Sequence, residues 1–415
     1  MEKDQVKTIA SHVRIDRVME RIGLLAERAR GLKGGVSRLA FTPVEGETVR
    51  LVVGWMEDAG LTVSYDAVGN VFGSTDGNAE GAAVLGCGSH LDSVPDGGHL
   101  DGVLGVIGAL EAVEAVRSAG FRPGTPMEMV IWRCEEAALF GQGRIGSLFY
   151  TGELSLDAIR RFGNPEVDLL ARLEEAASLP QRARGRHFQG YLELHIEQGR
   201  RLDARGIPIG IVTAIPGATR WRITIQGRAD HSGATPMGMR RDALSAAAEL
   251  ITAVERAGVE ESKHESVATS AAIRVLPGAW NVIPGWAEVL TDIRGIDQSS
   301  IDRILQTVRD AVARISRERS VEISIEEVTR GVPVRLDEAM VSMVESTARA
   351  LGLPAVRMPS GAGHDAQTIA PYSPTGMVFV PSIDGVSHAP EENTRPEDIE
   401  AGVKVLAAAW AQLAE

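Results

Sequence analysis

At 415 residues the chain is too long for one ordinary hydrophobic core, so two domains are expected. Its 44% hydrophobic and 24% charged residues exclude the disordered and fibrous classes. A formal net charge of −13 argues against nucleic acid as a partner, because such a surface repels phosphate backbones.

The nearest thing to a basic stripe runs from Arg160 to Arg186 and includes Arg161, Arg172, Arg182 and Arg184. Acids interleave with it and no aromatic platform accompanies it, so it reads as a solvated helical face. Cys87 and Cys134 stand apart in apolar runs, as buried thiols in a reducing compartment do. The opening MEKDQVKTIA has no apolar signal core, and no apolar run of about 18 residues follows it. No membrane partner is expected, and the cytoplasm is the default location.

In chain order, residues 12–32 predict an amphipathic helix, with Val13, Ile15, Val18, Ile22, Leu25 and Ala26 mostly three or four apart. A second helix is predicted over 43–59, ahead of a strand at 61–65. The apolar strand 82–87 runs into the polar cluster 89–98, and 103–119 is a helix rich in Val, Ile, Leu and Ala. Strand 127–134 stops at Glu135-Glu136. Strands alternating with helices predict an α/β sheet, mostly parallel, with chemistry carried at the strand ends. Near residue 210 the pattern changes. Strand 221–226, helix 240–257, strands 266–275 and 287–293, helix 301–317 and strand 321–327 follow in β-α-β-β-α-β order, the signature of a ferredoxin-like sandwich. After Val332 the α/β pattern resumes, with a helix at 338–351 and a strand at 376–380. The expected division is therefore 1–213 with 331–415, and an inserted domain at 214–330.

Chemistry-bearing residues gather at the ends of these strands. His90 ends one of them, and Asp101 lies eleven positions on, at the start of a helix. An imidazole and a carboxylate so placed form half a site for a divalent metal, and Asp92 is expected to accept the other imidazole N–H. Alone, these residues read equally well as a structural hydrogen bond and a helix cap. Of the pair Glu135-Glu136, one carboxylate can ligate a metal while the other acts as general base on water; favourable acids at a helix start are the alternative. Glu193, His195 and Glu197 share one face of the strand over 191–199, which could also be plain solvent exposure. His388 follows the strand 376–380 in a small-residue loop. Together these suggest two cations ~3.5–4 Å apart, with His90 and His195 on one, Glu136 and His388 on the other, and Asp101 bridging both.

The stretches GSHLDSVPDGGHLDGVLGV, CEEAALFGQGRIGS, LELHIEQG, GRADHSGATPMGMRRDA, PSGAGHDA and SHAPEE run in this order from about residue 86 to 392. They resemble the zinc aminoacylase and carboxypeptidase superfamily, and more narrowly its hydantoinase/carbamoylase branch. The resemblance implies a phosphorylase/hydrolase-like catalytic domain with a mostly parallel sheet, and an inserted ferredoxin-like dimerisation (lid) domain. It implies the same five ligands, Glu135 as general base, and two divalent ions per subunit: zinc, or alternatively manganese, cobalt or nickel. It also implies a substrate contact at Gln198, oxyanion stabilisation by His231 from the partner subunit of a homodimer, and a carboxylate grip by Asn281 and Arg294. The loop containing Gly361 and Gly363 would offer backbone amides to substrate. The activity so implied is cleavage of the carbamoyl C–N bond of an N-carbamoyl-L-amino acid or similar small carboxylate-bearing substrate. Allantoate, β-ureidopropionate, N-acyl-amino acids and dipeptides are the alternative substrates; a catalytically silent binding protein of the same fold is the alternative outside enzymes. Where relatives carry small polar residues and an arginine, this chain has Ala137, Ala138 and Leu139, which predicts a less polar pocket.

Overall fold

The computed structural model describes all of residues 1–415. The chain divides into two compact units, 1–213 with 336–415, and 214–335. The return crossing lies later than the expected 330/331. Val334–Arg335 pairs antiparallel with Ala214–Ile215, so the segment after residue 330 stays with the inserted unit.

The larger unit is built on an eight-stranded sheet. Its strands lie side by side in the order Thr62–Tyr65, Val71–Ser74, Met127–Trp132, Ala83–His90, His187–Ile196, Thr375–Val380, Ile209–Val212 and Ala355–Met358. The four central strands, from Met127–Trp132 to Thr375–Val380, are parallel. Crossover helices cover them, and their Val, Leu, Ile and Met runs are buried on both faces. The margins are antiparallel, so the sheet is mixed. On one side, Asp66 closes a tight hairpin by accepting the N–H groups of Val68 and Asn70. On the other, Ile209–Val212 runs against Thr375–Val380.

Parallel strands all point one way, so His90, Trp132, Ile196 and Val380 finish at the same edge. The segments that follow leave from that edge, as loops do at the carboxyl ends of α/β sheets. The helix Val103–Ser118 is apolar around its whole circumference and buried, and it packs against Pro396–Leu413. Its one fully buried charge, Glu111, accepts two hydrogen bonds from Arg17 and one from the Arg14 N–H. The predicted helix over 12–32 is found as Ile15–Arg28, which buries the stripe Val18, Ile22 and Leu25, and an unpredicted helix, Lys3–Ser11, precedes it. The strand predicted to reach Cys134 stops at Trp132, because Cys134 takes a left-handed φ of 58°. Cys87 and Cys134 are both free and buried, and burial pushes both thiols up. The basic stretch is not wholly a solvated face. Arg186 is buried against Glu128, and Arg182 joins the same carboxylate while lying over Phe72.

The smaller unit pairs Val267–Leu276, Trp286–Gly295, Gly217–Gln226 and Glu322–Arg330, in that spatial order and antiparallel throughout. The helices Ala243–Glu261 and Gln298–Arg319 pack on one face of the sheet. Asp242 and Asp297 cap their first turns. Strand alternation sends Trp221, Ile223 and Ile225 inward to meet Leu250, Ile304 and Val308. Element order and strand order together are those of a ferredoxin-like sandwich. No helix of either unit is long and apolar enough to cross a membrane.

Candidate active site

Four separate loops converge beyond the central strands. His90 ends the strand Ala83–His90, and its Nδ1 lies 3.0 Å from the Asp92 carbonyl. His195 has its Nδ1 2.9 Å from the Ile196 carbonyl. A main-chain acceptor at Nδ1 turns each Nε2 inward, where it can offer a lone pair to a cation once deprotonated. Both Nε2 atoms face the same oxygen of Asp101: His90 at 3.4 Å and His195 at 3.3 Å from Oδ1. The other oxygen, Oδ2, lies 3.4 Å from His388 Nε2, and that nitrogen is 3.1 Å from Glu136 Oε1. Two trios result, His90-Asp101-His195 and Asp101-Glu136-His388, with Asp101 common to both.

Next to Asp101, Gly102 adopts φ 67°, and a Cβ there would fall 2.5 Å from the His90 ring. Only glycine lets the imidazole lie against this turn.

The donor set fits divalent cations. Its atoms are all imidazole nitrogens and carboxylate oxygens, the set that zinc and its neighbours accept. Bonds of about 2.0–2.1 Å in a tetrahedron would place ligand atoms about 3.3 Å apart. The separations around Asp101 cluster at that value.

Within the cluster, burial and neighbouring charges set each group's proton affinity. Burial acts against the charged imidazole of His90, but Asp101, Glu135 and Asp92 overcome it and hold the ring well above its usual range. Hydrogen bonds to Asp101 and Glu136 hold His388 up at about 10. Burial would raise Asp101, yet His195, His388 and His90 keep it well below the ordinary carboxylate range. Glu135 goes the other way. Burial, together with the charges of Glu136, Asp365 and Asp92, pushes it well up against the opposing pull of His90. Its Oε2 stands 4.0 Å from His90 Nε2, at the rim of the first trio.

Asp92 does not do what the sequence suggested. Its carboxylate is 3.7 Å from His90 Nδ1, which lies nearer the Asp92 carbonyl. The carboxylate instead accepts the N–H groups of Glu135 and Glu136, at 3.1 and 3.0 Å, and so anchors the loop that carries both acids. Glu193 and Glu197 are not solvent-exposed either. Glu193 accepts from Ser89 and the Ala366 N–H, Glu197 accepts from the Arg201 and Leu202 N–H groups, and both are buried. Of that face only His195 belongs to the trios. Leu139 packs with Phe140 against the side cluster of Phe41, Val68 and Ile145, which leaves Ala137 and Ala138 as the small residues beside the two acids.

Gln198, in a left-handed conformation, donates its side-chain amide to Asp101 Oδ2 at 2.6 Å. Gly361 and Gly363 lie in an exposed loop, with open space where a Cβ would be at Gly361. His364, next to them, is buried, with its ring 4.6 Å from that of His195. Burial and His195 push it well below its usual range, so it stays neutral.

The remaining candidates belong to the smaller unit. His231 is exposed, on a short ribbon where Val282 is its partner, and the Asn281 carbonyl accepts the neighbouring Ser232 N–H. His231 Nδ1 accepts the N–H groups of Gly233 and Ala234, each at 3.1 Å, which puts the ring proton on Nε2. Arg294 is already engaged, through Nε and Nη2, with the carboxylate of Asp292.

Three contributors escaped the sequence reading. The buried Arg38 holds the Leu91 and Leu25 carbonyls and faces the charges of Asp92 and Glu45; burial pushes it down to about 10. Ser387 places its hydroxyl 3.1 Å from Asp101 Oδ2, and Glu392 reaches the loops of Asp101 and His388. The one signal for the last two is position: they flank His388 at one and four residues' distance.

Residues 86–412 match the family described as peptidase family M20/M25/M40. The chain is 39% identical over 407 residues to the N-carbamoyl-L-amino acid amidohydrolase of Geobacillus stearothermophilus, covering 96% of this chain and 98% of that one. It is 35% identical over 412 residues to the ureidoglycolate hydrolase of Oryza sativa subsp. japonica, covering 97% and 85%. The crystal structure of a hydantoinase/carbamoylase family amidase from Burkholderia multivorans superposes with a TM-score of 0.90 at 36% identity, over 97% and 98% of the two chains. Motifs, fold and overall similarity agree, and the chain belongs to peptidase family M20/M25/M40, in its hydantoinase/carbamoylase branch.

Proposed function

We propose that the protein is an amidohydrolase that binds two divalent cations, zinc foremost, and cleaves the carbamoyl C–N bond of an N-carbamoyl-L-amino acid. The observation that carries this reading is Asp101, whose two oxygens each serve a different trio while Glu135 stands at the rim. Cations bound there would acidify water and polarise a carbonyl. Glu135 takes a proton from water at its carboxylate as the ureido carbonyl carbon is attacked, and returns it to the leaving nitrogen when the C–N bond breaks. Its raised proton affinity suits a group that must hold that proton between the two steps. Asp92 keeps the carboxylate in place by holding the backbone of its loop. Gln198 steadies Asp101 and borders the substrate. The amides of the loop holding Gly361 and Gly363 orient the substrate.

In this reading the smaller unit supplies dimer contacts, and His231 of a second copy donates its Nε2–H to the carbonyl oxygen as negative charge develops. Asn281 and Arg294 grip the substrate carboxylate. Because Arg294 is paired with Asp292, substrate must share that guanidinium. The strong likeness to a ureidoglycolate hydrolase favours a second substrate class, ureido acids of the ureidoglycolate and allantoate type.

A substrate panel separates these readings. N-carbamoyl-L-amino acids, ureidoglycolate, allantoate, N-acetyl-amino acids and dipeptides are each incubated with protein and added Zn²⁺ or Mn²⁺. Ureido compounds are expected to turn over. Glu135→Gln should lower kcat by about 100- to 10,000-fold while leaving cation stoichiometry unchanged. Unaltered turnover in that variant would remove Glu135 from the mechanism.

A further inference from the structure

Glu391 and Glu392 are adjacent, yet only Glu391 is exposed; Glu392 is 1% exposed. No cation pairs with its buried carboxylate. Four neutral donors surround it instead, and they divide between its two oxygens. Oε1 accepts the Leu100 and Asp101 N–H groups at 2.9 and 3.0 Å. Oε2 accepts the Ser387 hydroxyl at 2.9 Å and the His388 N–H at 3.3 Å. Each oxygen thus holds one loop, and the two loops are nearly three hundred positions apart in sequence.

Two further features show that this space is built for the carboxylate. At Gly98 a Cβ would stand 1.9 Å from the Glu392 carboxyl carbon, so the acid occupies the volume that glycine leaves free. His388 has a φ of 56°, a left-handed conformation that non-glycine residues hold only when their surroundings impose it. The bond from its N–H to Glu392 is one of those restraints.

We propose that Glu392 is a positioning residue that sets the spacing between Asp101 and His388, and so shapes the second trio more than the first. The proposal rests on the two-cation reading given above. Its physical basis is donor count. Four donors converge on two acceptor oxygens, and an amide would replace one of those oxygens with a group that itself donates. In Glu392→Gln one loop loses its acceptor oxygen, and a main-chain N–H there, of His388 or of Leu100 and Asp101, faces an amide N–H.

The test is calorimetric titration of metal-free protein with Zn²⁺ alone. The wild type should bind two ions per chain. Glu392→Gln should keep the first near wild-type affinity and weaken the second by about 10- to 100-fold. Gly98→Ala, which leaves the acid intact but fills its space, should give the same uneven pattern, while Glu391→Gln should titrate as wild type. Two ions bound normally by both Glu392→Gln and Gly98→Ala would overturn the proposal, as would equal weakening at both sites, which marks a general structural role. Fewer than two ions on the wild type would instead defeat the two-cation reading itself.

Discussion

Around Asp101 the charge balance changes when cations arrive. In the cation-free pocket, Asp101 and Glu136 hold a proton on His388 with a pKa of about 10, and neighbouring carboxyls keep His90 and His195 raised too. A cation needs the Nε2 lone pairs, so it must displace those protons. The sign follows directly: protons are bound before the cation and released with it, so affinity should climb as pH rises through the neutral range. Adding Zn²⁺ to metal-free protein in weakly buffered solution should acidify it, and the pH-stat trace measures the protons released. A flat trace would mean that these imidazoles do not take the cation. The same residues show what a sequence can reveal. His90, Asp101, Glu136, His195 and His388 could be singled out because each sits at a strand end or in the loop that leaves it, and parallel strands carry such loops to one edge. The roles of neighbours were harder to read. Whether Asp92 offers its side chain or its carbonyl to His90, and whether Leu139 faces a pocket or a side cluster, depends on loop dihedrals such as the left-handed Cys134. Periodicity carries no trace of these.

At the scale of elements, apolar runs and their period foretold the central strands, the helix Val103–Ser118 and the β-α-β-β-α-β unit. What they missed were short strands outside the centre of the sheet and the helix Lys3–Ser11 ahead of the predicted one. Short strands such as Val71–Ser74 and Ala355–Met358 are too brief for a periodic signal, and their direction is set by the hairpin and partners they meet. Nor does periodicity predict how the buried helix accommodates Glu111. That carboxylate is wholly buried, and its charged partner Arg17 arrives from the helix Ile15–Arg28. Removing the guanidinium leaves a buried charge with only the Arg14 N–H as a remaining donor among these three bonds. A fully buried broken pair costs about 3–5 kcal/mol. Arg17 is 28% exposed, so water can partly replace it, and Arg17→Ala should cost about 2 kcal/mol. Arg160→Ala, which breaks a pair exposed on both sides, should cost roughly 0–1 kcal/mol. Urea denaturation of the two variants measures the difference; equal midpoints would show that Arg17 does not stabilise Glu111.

For the whole molecule the open question is where His231 acts. In its own unit it lies exposed, with an Nε2–H donor and no acceptor for it among the bonds described above. Met237, Met239 and Trp280, close to His231 and Asn281 in the chain, are 76%, 67% and 103% exposed. The outer strand Val267–Leu276 also leaves Val267, Ile273 and Leu276 exposed at the end of the four-stranded sheet. Both features suit a second copy, and the proposed trans role of His231 makes a quantitative demand on it. Glu135→Gln and His231→Asn should each be nearly inactive alone. If the two are unfolded together and refolded as a mixture, about half of the dimers should pair one of each variant. In such a dimer one site is doubly impaired, but the other combines an intact Glu135 with an intact His231 from its partner. Activity should therefore return to about a quarter of the wild-type value. If His231 serves its own chain, every site in the mixture keeps one defect and no activity returns. The recovered rate, read beside the fraction of dimers measured by analytical ultracentrifugation, decides between the two arrangements.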